Sequence, residues 1–119
     1  MTTPTADQIE NFLHEQIACW NRGDRDGFFG AYQRIVTGAL QIEYVGKHRG
    51  DGWAILEHMW DQNQQNIAIE ELELIVNGAE AACHNRNNIQ GTAMAIETIE
   101  IYKFADNGDL EIRYFIKEP

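Results

Sequence analysis

Glu100 lies between Thr98 and Tyr102 at every-second-residue spacing, which on a β-strand puts all three on one face. A carboxyl between Thr98, Tyr102 and Phe115, beneath aromatic helices, would lose water, and that loss raises its pKa. A raised carboxyl can donate a proton or a hydrogen bond near neutrality. The competing reading is a surface carboxylate that pairs loosely with a cross-strand neighbour. Arg113 bears on the choice: paired with Glu100, it would keep the carboxyl ionised and make an anion-binding or structural pair. A second signal is the polar run His84-Asn85-Arg86-Asn87-Asn88 where a buried strand is expected. Five successive polar residues put polar groups on both faces of a strand. A central strand tolerates this only beside a wet pocket, another subunit or solvent, because an unpaired buried polar group costs roughly 1–3 kcal/mol. A binding cavity is the leading expectation, with a solvated sheet face as the alternative.

Other residues could serve such a cavity. Tyr44 ends an alternating segment on the side of Leu40 and Ile42. Its ring suits a core, and its hydroxyl could orient a substrate oxygen, but with an ordinary pKa of about 10 it is a poor base. Gln16 interrupts an apolar helical stripe, and its amide could read a carbonyl or hydroxyl or simply reach solvent. Trp20, Phe28, Tyr32, Trp53 and Trp60 have the spacing of core and pocket wall. His58 is a candidate proton shuttle near the cavity mouth, although a lone helical histidine is more often structural or exposed. The four histidines have no mutual metal-ligand spacing, so no metal site is expected. Asp24-Arg25-Asp26-Gly27 lacks the later ligands of a calcium loop and reads as helix capping. The chain contains no serine and no phosphate-binding glycine loop after a strand, which excludes serine nucleophiles and argues against nucleotide cofactors. No cofactor is expected.

The elements that must position these residues are legible from period and punctuation. Thr5 with Gln8 has capping-box spacing, and Ile9, Phe12, Leu13, Gln16, Ile17 and Trp20 form one helical stripe that Gly23 can end. Asp24 can cap a second helix burying Phe28, Phe29 and Tyr32. Leu40, Ile42 and Tyr44 alternate as a strand. Asp51 can cap a third helix carrying Trp53, Leu56, Met59 and Trp60. From about Asn66 onward four strands are expected: Ile67 to Val76, Glu80 to Gln90, Ala93 to Phe104 and Leu110 to Lys117. Asn77-Gly78 and Asn107-Gly108 are hairpin signals of the type I′ kind. A two-residue loop at Asn107-Gly108 would set Glu100 opposite Phe115 and Tyr102 opposite Arg113. Thr98 and Lys117 share that face, and Ile99, Ile101, Ile112, Tyr114 and Ile116 fill the other. Hydrophobicity alone would send the second set inward.

Totals narrow the class. A chain of 119 residues, 44% hydrophobic and 24% charged, suits one globular domain over 1–119. A net charge of −10 argues against nucleic acid and anionic membranes as partners. Cys19 and Cys83 fit a reduced cytoplasm and read as buried small residues. Met1 to Ile17 is too polar for a signal peptide, and no apolar run approaches the roughly 20 residues of a membrane helix.

Element order and several strings resemble the nuclear transport factor 2-like superfamily, which includes SnoaL-like polyketide cyclases, ketosteroid isomerase, scytalone dehydratase and limonene epoxide hydrolase. The strings are Asn21-Arg22-Gly23-Asp24 with Asp26-Gly27, the Gly46 to Gly52 loop entering a helix, and Ile101-Tyr102-Lys103-Phe104 followed by Asn107-Gly108-Asp109-Leu110. The resemblance implies an α+β, cone-shaped cystatin-like fold, with three N-terminal helices on a curved, mainly antiparallel sheet in the order α-α-β-α-β-β-β-β. It implies an internal pocket for a small apolar ligand and a homodimer through the outer sheet face. It places Glu100 inward, and with it Arg113, Phe115, Asn85 and Asn87. The isoleucine face then turns outward and needs a second subunit as cover. Against ketosteroid isomerase, the general-base position falls on Tyr44, the tyrosine donor on Gln16 and the protonated-aspartate donor on Glu100, so steroid isomerisation by that mechanism is not expected. The Asp-Arg-Asp network of limonene epoxide hydrolase is not reproduced, though Glu100 and Arg113 could form half of one. The resulting expectation is a cofactor-free acid–base isomerase, dehydratase or cyclase acting on a small apolar carbonyl or hydroxyl compound. Glu100 and Tyr44 would be its catalytic groups. Gln16, Trp20, Tyr32, Trp53, His58, Asn85, Asn87, Tyr102, Arg113 and Phe115 would bind substrate. A non-catalytic ligand-binding or dimeric interaction module is the alternative.

Overall fold

Thr5 opens the first helix as its spacing predicts. Its hydroxyl accepts the Gln8 amide hydrogen at 3.2 Å, and Gln8 Oε1 accepts that of Thr5 at 2.9 Å. The computed structural model describes residues 3–117; the expected domain 1–119 includes two residues at each end that lie outside the described residues. Helix α1 (Ala6–Asn21) buries Ile9, Phe12, Leu13, Gln16, Ile17, Cys19 and Trp20. Gly23 ends it in the left-handed region at φ +72. Asp24 caps α2 (Arg25–Ile35), accepting from the Gly27 amide at 2.9 Å, and Phe28, Ala31 and Tyr32 are the buried side. Asp51 caps α3 (Gly52–Asn63) through the Ala54 amide at 3.1 Å. Gly52 lies hard against β1 (Leu40–Tyr44): a Cβ there would meet Leu40 Cγ at 2.3 Å.

The strands form one six-stranded sheet in the order β2-β1-β6-β5-β4-β3, antiparallel except where β1 runs parallel to β6. The three helices pack on this curved sheet, an α+β architecture. The C-terminal meander matches the sequence reading: β3 (Ile67–Asn77), β4 (Glu80–Ile89), β5 (Ala95–Phe104) and β6 (Leu110–Ile116). One strand is additional. Part of the segment read as a loop pairs as β2 (His48–Asp51), Tyr44 facing His48, after a turn in which Gly46 takes φ +82.

Both hairpins depart from the type I′ expectation, because no described non-glycine residue has positive φ. Asn77 stays in the ladder opposite Glu80, and Gly78 and Ala79 make the loop. The second departure matters more. Gly108 donates to the Ala105 carbonyl at 3.1 Å, and Ala105 donates to that of Asp109 at 2.9 Å, with Gly108 at φ +93. These bonds define a three-residue loop, Asp106-Asn107-Gly108, of the kind that adds a glycine bulge. One extra loop residue exchanges the faces of the following strand. Glu100 therefore lies opposite Tyr114, not Phe115, and Tyr102 opposite Ile112, not Arg113.

The expected faces are corrected accordingly. Thr98, Glu100 and Tyr102 point inward and are buried, as expected, but Ile112 and Tyr114 join them. Arg113 and Phe115 lie on the outer face beside Ile99 and Ile101. Arg113 Nε donates to Glu43 Oε1 at 3.1 Å, and its guanidinium carbon stands 5.2 Å from the centre of the Phe115 ring. The core between helices and sheet contains Ile9, Phe12 and Leu13 of α1, Phe28 and Tyr32 of α2, Leu56 of α3, and Ile42, Tyr102, Leu110 and Ile112 of the sheet. Phe12 meets Tyr32 edge to face at 4.9 Å. Among the described residues no helix is long and apolar enough to cross a membrane.

Candidate functional site

A cavity of about 160 Å³ opens between the helices and the inner sheet face. Helix α1 supplies Gln16 and Trp20, α2 supplies Phe28 and Tyr32, and α3 supplies Met59 and Asn63. The sheet supplies Tyr44, Asn85, Asn87, Thr98, Glu100 and Tyr114, with Ile67, Ile69, Ile96 and Ile116. Two ties fix the α1–β3 side. Trp20 Nε1 donates to the Ile67 carbonyl at 2.9 Å, and the Asn21 amide exchanges bonds with the Ile69 carbonyl and N–H, both at 2.8 Å. Asn21 thus completes the edge of β3 as a neighbouring strand would.

Glu100 is the sole ionisable carboxyl or basic side chain in the described wall, and it is 6% exposed. Three donors converge on it. Tyr102 Oη donates to Oε1 at 2.8 Å; Thr98 Oγ1 and Asn85 Nδ2 donate to Oε2 at 2.9 and 3.1 Å. Asn87 Nδ2 supports Thr98 by donating to its Oγ1 at 3.2 Å and to the Ile96 carbonyl at 2.9 Å. Burial raises the Glu100 pKa; the hydrogen bonds from Tyr102, Thr98 and Asn85 oppose this, the nearby Glu71 charge adds to it, and the balance is upward. The tyrosines respond in the same sense. Burial and then the Glu100 charge raise Tyr44, Tyr32 and Tyr102, and Tyr114 is raised by burial and by Tyr32 and Glu100. Tyr44 stacks on Tyr114 with ring centres 5.5 Å apart.

Of the residues singled out in the sequence, Glu100, Tyr44, Gln16, Trp20, Tyr32, Asn85 and Asn87 line this one cavity. Tyr102 lies behind it, bonded to Glu100. Trp53 packs partly buried against the core outside the cavity wall, and His58 is exposed on α3. Arg113 and Phe115 are on the opposite side of the sheet, so the half-network of Glu100 with Arg113 does not form. Tyr114, Met59, Asn63 and the wall isoleucines were not anticipated. The three-residue loop explains Tyr114 and Ile116. Ile67, Ile69 and Ile96 had alternation as a signal, on the face set by Asn87.

No protein-family model and no curated protein matches the sequence. Solved structures do. A protein of unknown function with cystatin-like fold from Methylobium petroleophilum superposes with a TM-score of 0.76 at 18% identity, over 98% of this chain and 81% of that one. An NTF2-like protein of unknown function from Burkholderia xenovorans gives 0.74 at 16%, over 95% and 85%. The fold is NTF2-like. An LEH-like epoxide hydrolase from M. tuberculosis shares it, with a TM-score of 0.65 at 14% identity over 95% of this chain and 84% of that chain. At these identities the NTF2-like likeness is one of fold.

Proposed function

We propose that this chain binds a small, largely apolar molecule bearing a carbonyl or hydroxyl group and performs cofactor-free acid–base chemistry on it, such as isomerisation, dehydration or cyclisation. The observation that carries this reading is a buried carboxyl, with no basic side chain among the described residues of its cavity wall, in a pocket whose remaining wall is mostly aromatic and aliphatic. A carboxyl so placed is suited to hold a proton that it can give to, or share with, a bound oxygen. Glu100 is the acid or oxyanion donor. Tyr44 and Gln16 orient the polar group, and Asn85 with Asn87 forms the polar wall. Occurrence of the fold in an epoxide hydrolase supports a small-molecule role without assigning that reaction here.

The test is a screen of small carbonyl and hydroxyl compounds by thermal shift and by turnover, repeated on Glu100→Gln. Loss of turnover with the thermal shift retained supports the enzyme; binding with no turnover by the wild type leaves a ligand-binding module.

The same proposal includes pairing of two copies through the outer sheet face. Ile75, Ile99 and Phe115 are exposed there, at 53%, 49% and 39%, in a setting that also carries the His84–Glu97 contact. Sedimentation should give a dimer for the wild type and a monomer for Ile99→Glu; a monomeric wild type removes this part. Free, buried Cys19 and Cys83 support a reducing compartment, the cytoplasm.

A further inference from the structure

We propose that the ligand of this cavity is a small alcohol, whose hydroxyl hydrogen is accepted by Asn85 Oδ1. This rests on the reading of the cavity given above and narrows its carbonyl-or-hydroxyl choice. Asn85 is 1% exposed, lines the cavity and has an Oδ1 with no hydrogen-bond partner. Its amide is oriented by the bond from Nδ2 to Glu100 Oε2 at 3.1 Å. With Oε2 unprotonated, the reverse orientation would press Oδ1 against an oxygen that already receives the Thr98 hydrogen. The nearby donors are committed elsewhere: Thr98 and Tyr102 to Glu100, Asn87 to Thr98 and the Ile96 carbonyl. A hydroxyl in the cavity would supply the missing hydrogen, in keeping with the rule that buried polar atoms are paired.

A hydroxyl fits both sides of this polar end. It gives its hydrogen to Asn85 Oδ1 and offers a lone pair to a proton on Glu100. That proton belongs on Oε1, which accepts one hydrogen bond where Oε2 accepts two. A ketone can accept from Glu100 but leaves Asn85 unpaired. A carboxylate offers only acceptors, so it too leaves Asn85 unpaired, and no basic side chain among the described wall residues would offset its charge. An ammonium ion donates to both oxygens but cannot accept. The volume of about 160 Å³ suits one six-membered ring, since an apolar cavity of about 150 Å³ takes benzene.

The test compares cyclohexanol, cyclohexanone and cyclohexylammonium, near-equal in size, binding to the full chain at pH 7 by ligand-observed NMR. The expected result is an alcohol at least about tenfold tighter than the other two, with the gap to the ketone closing in Asn85→Ala. Should that variant fail to fold, a crystal structure of the wild type with cyclohexanol decides: its oxygen is expected within about 2.7–3.2 Å of Asn85 Oδ1, and an oxygen placed elsewhere overturns the proposal. Equal binding of alcohol and ketone overturns it while leaving the cavity reading in place. Tighter binding of the ammonium ion overturns the hydroxyl assignment. Binding of none of the three removes both.

Discussion

Arg113 and Glu100 lie on opposite faces of the same sheet, and Arg113 bonds Glu43 at 3.1 Å. Glu100 is therefore held by neutral donors alone: a hydroxyl, a phenol and an amide. Neutral donors moderate the effect of burial without cancelling it, and the carboxyl remains raised.

The raised pKa has a definite consequence for stability. Below the ordinary glutamate range the group is protonated both folded and unfolded, and contributes no pH dependence. As pH rises from that range through the higher folded pKa, the folded state binds more protons than the unfolded state, so stability falls. Glu100→Gln cannot titrate and should lack this fall. Asp24 and Glu97, whose pKa values are lowered by the Gly27 amide and by His84 respectively, act in the opposite sense but are common to both proteins. Urea unfolding of both proteins across the acid-to-neutral range should give a difference that drifts in the variant's favour with rising pH. A difference independent of pH would show that Glu100 titrates normally.

Tyr102→Phe keeps the ring and removes the hydroxyl that donates to Glu100 Oε1 at 2.8 Å. It should cost roughly 1–3 kcal/mol in urea unfolding, the range for losing one buried hydrogen bond to an acid. It should also raise the Glu100 pKa further, since this bond is foremost among the influences holding it down. Unchanged stability would mean that water or another donor replaces the phenol at no cost.

How much of this was legible in the sequence depended on whether the signal was local. Thr5, Asp24 and Asp51 cap helices by short-range geometry, and all three were readable. Glu100 could be placed inward with Thr98 and Tyr102 because their spacing fixes them to one face. The partner strand was different. Asn107-Gly108 is compatible with two- and three-residue loops, and only the hydrogen bonding of Ala105 to Asp109 separates them. That single residue decided whether Arg113 or Tyr114 faced the cavity. Burial gave the contrary cue, since Ile112 and Tyr114 are the apolar choice for the inside. β2 carries no sequence signal of its own, because His48-Arg49-Gly50-Asp51 has no apolar alternation; its pairing with β1 organises it.

Asn21 tests the wall from outside the cavity. Its side chain both donates to and accepts from Ile69 at 2.8 Å, satisfying an edge strand. Asn21→Ala should lose about 1 kcal/mol in urea unfolding and speed hydrogen exchange of the Ile69 amide selectively. Exchange that speeds equally along all of β3 would instead indicate loosening of the whole strand.

The most direct measurement is a carbon-13 NMR titration of the glutamate side-chain carboxyls, with Glu100 assigned by the signal missing in Glu100→Gln. Glu100 should titrate above the range of the exposed glutamates, and its carboxyl shift should move when a cavity ligand such as cyclohexanol is added. A Glu100 signal that titrates with the exposed carboxyls and ignores the ligand would contradict a working acid in this cavity.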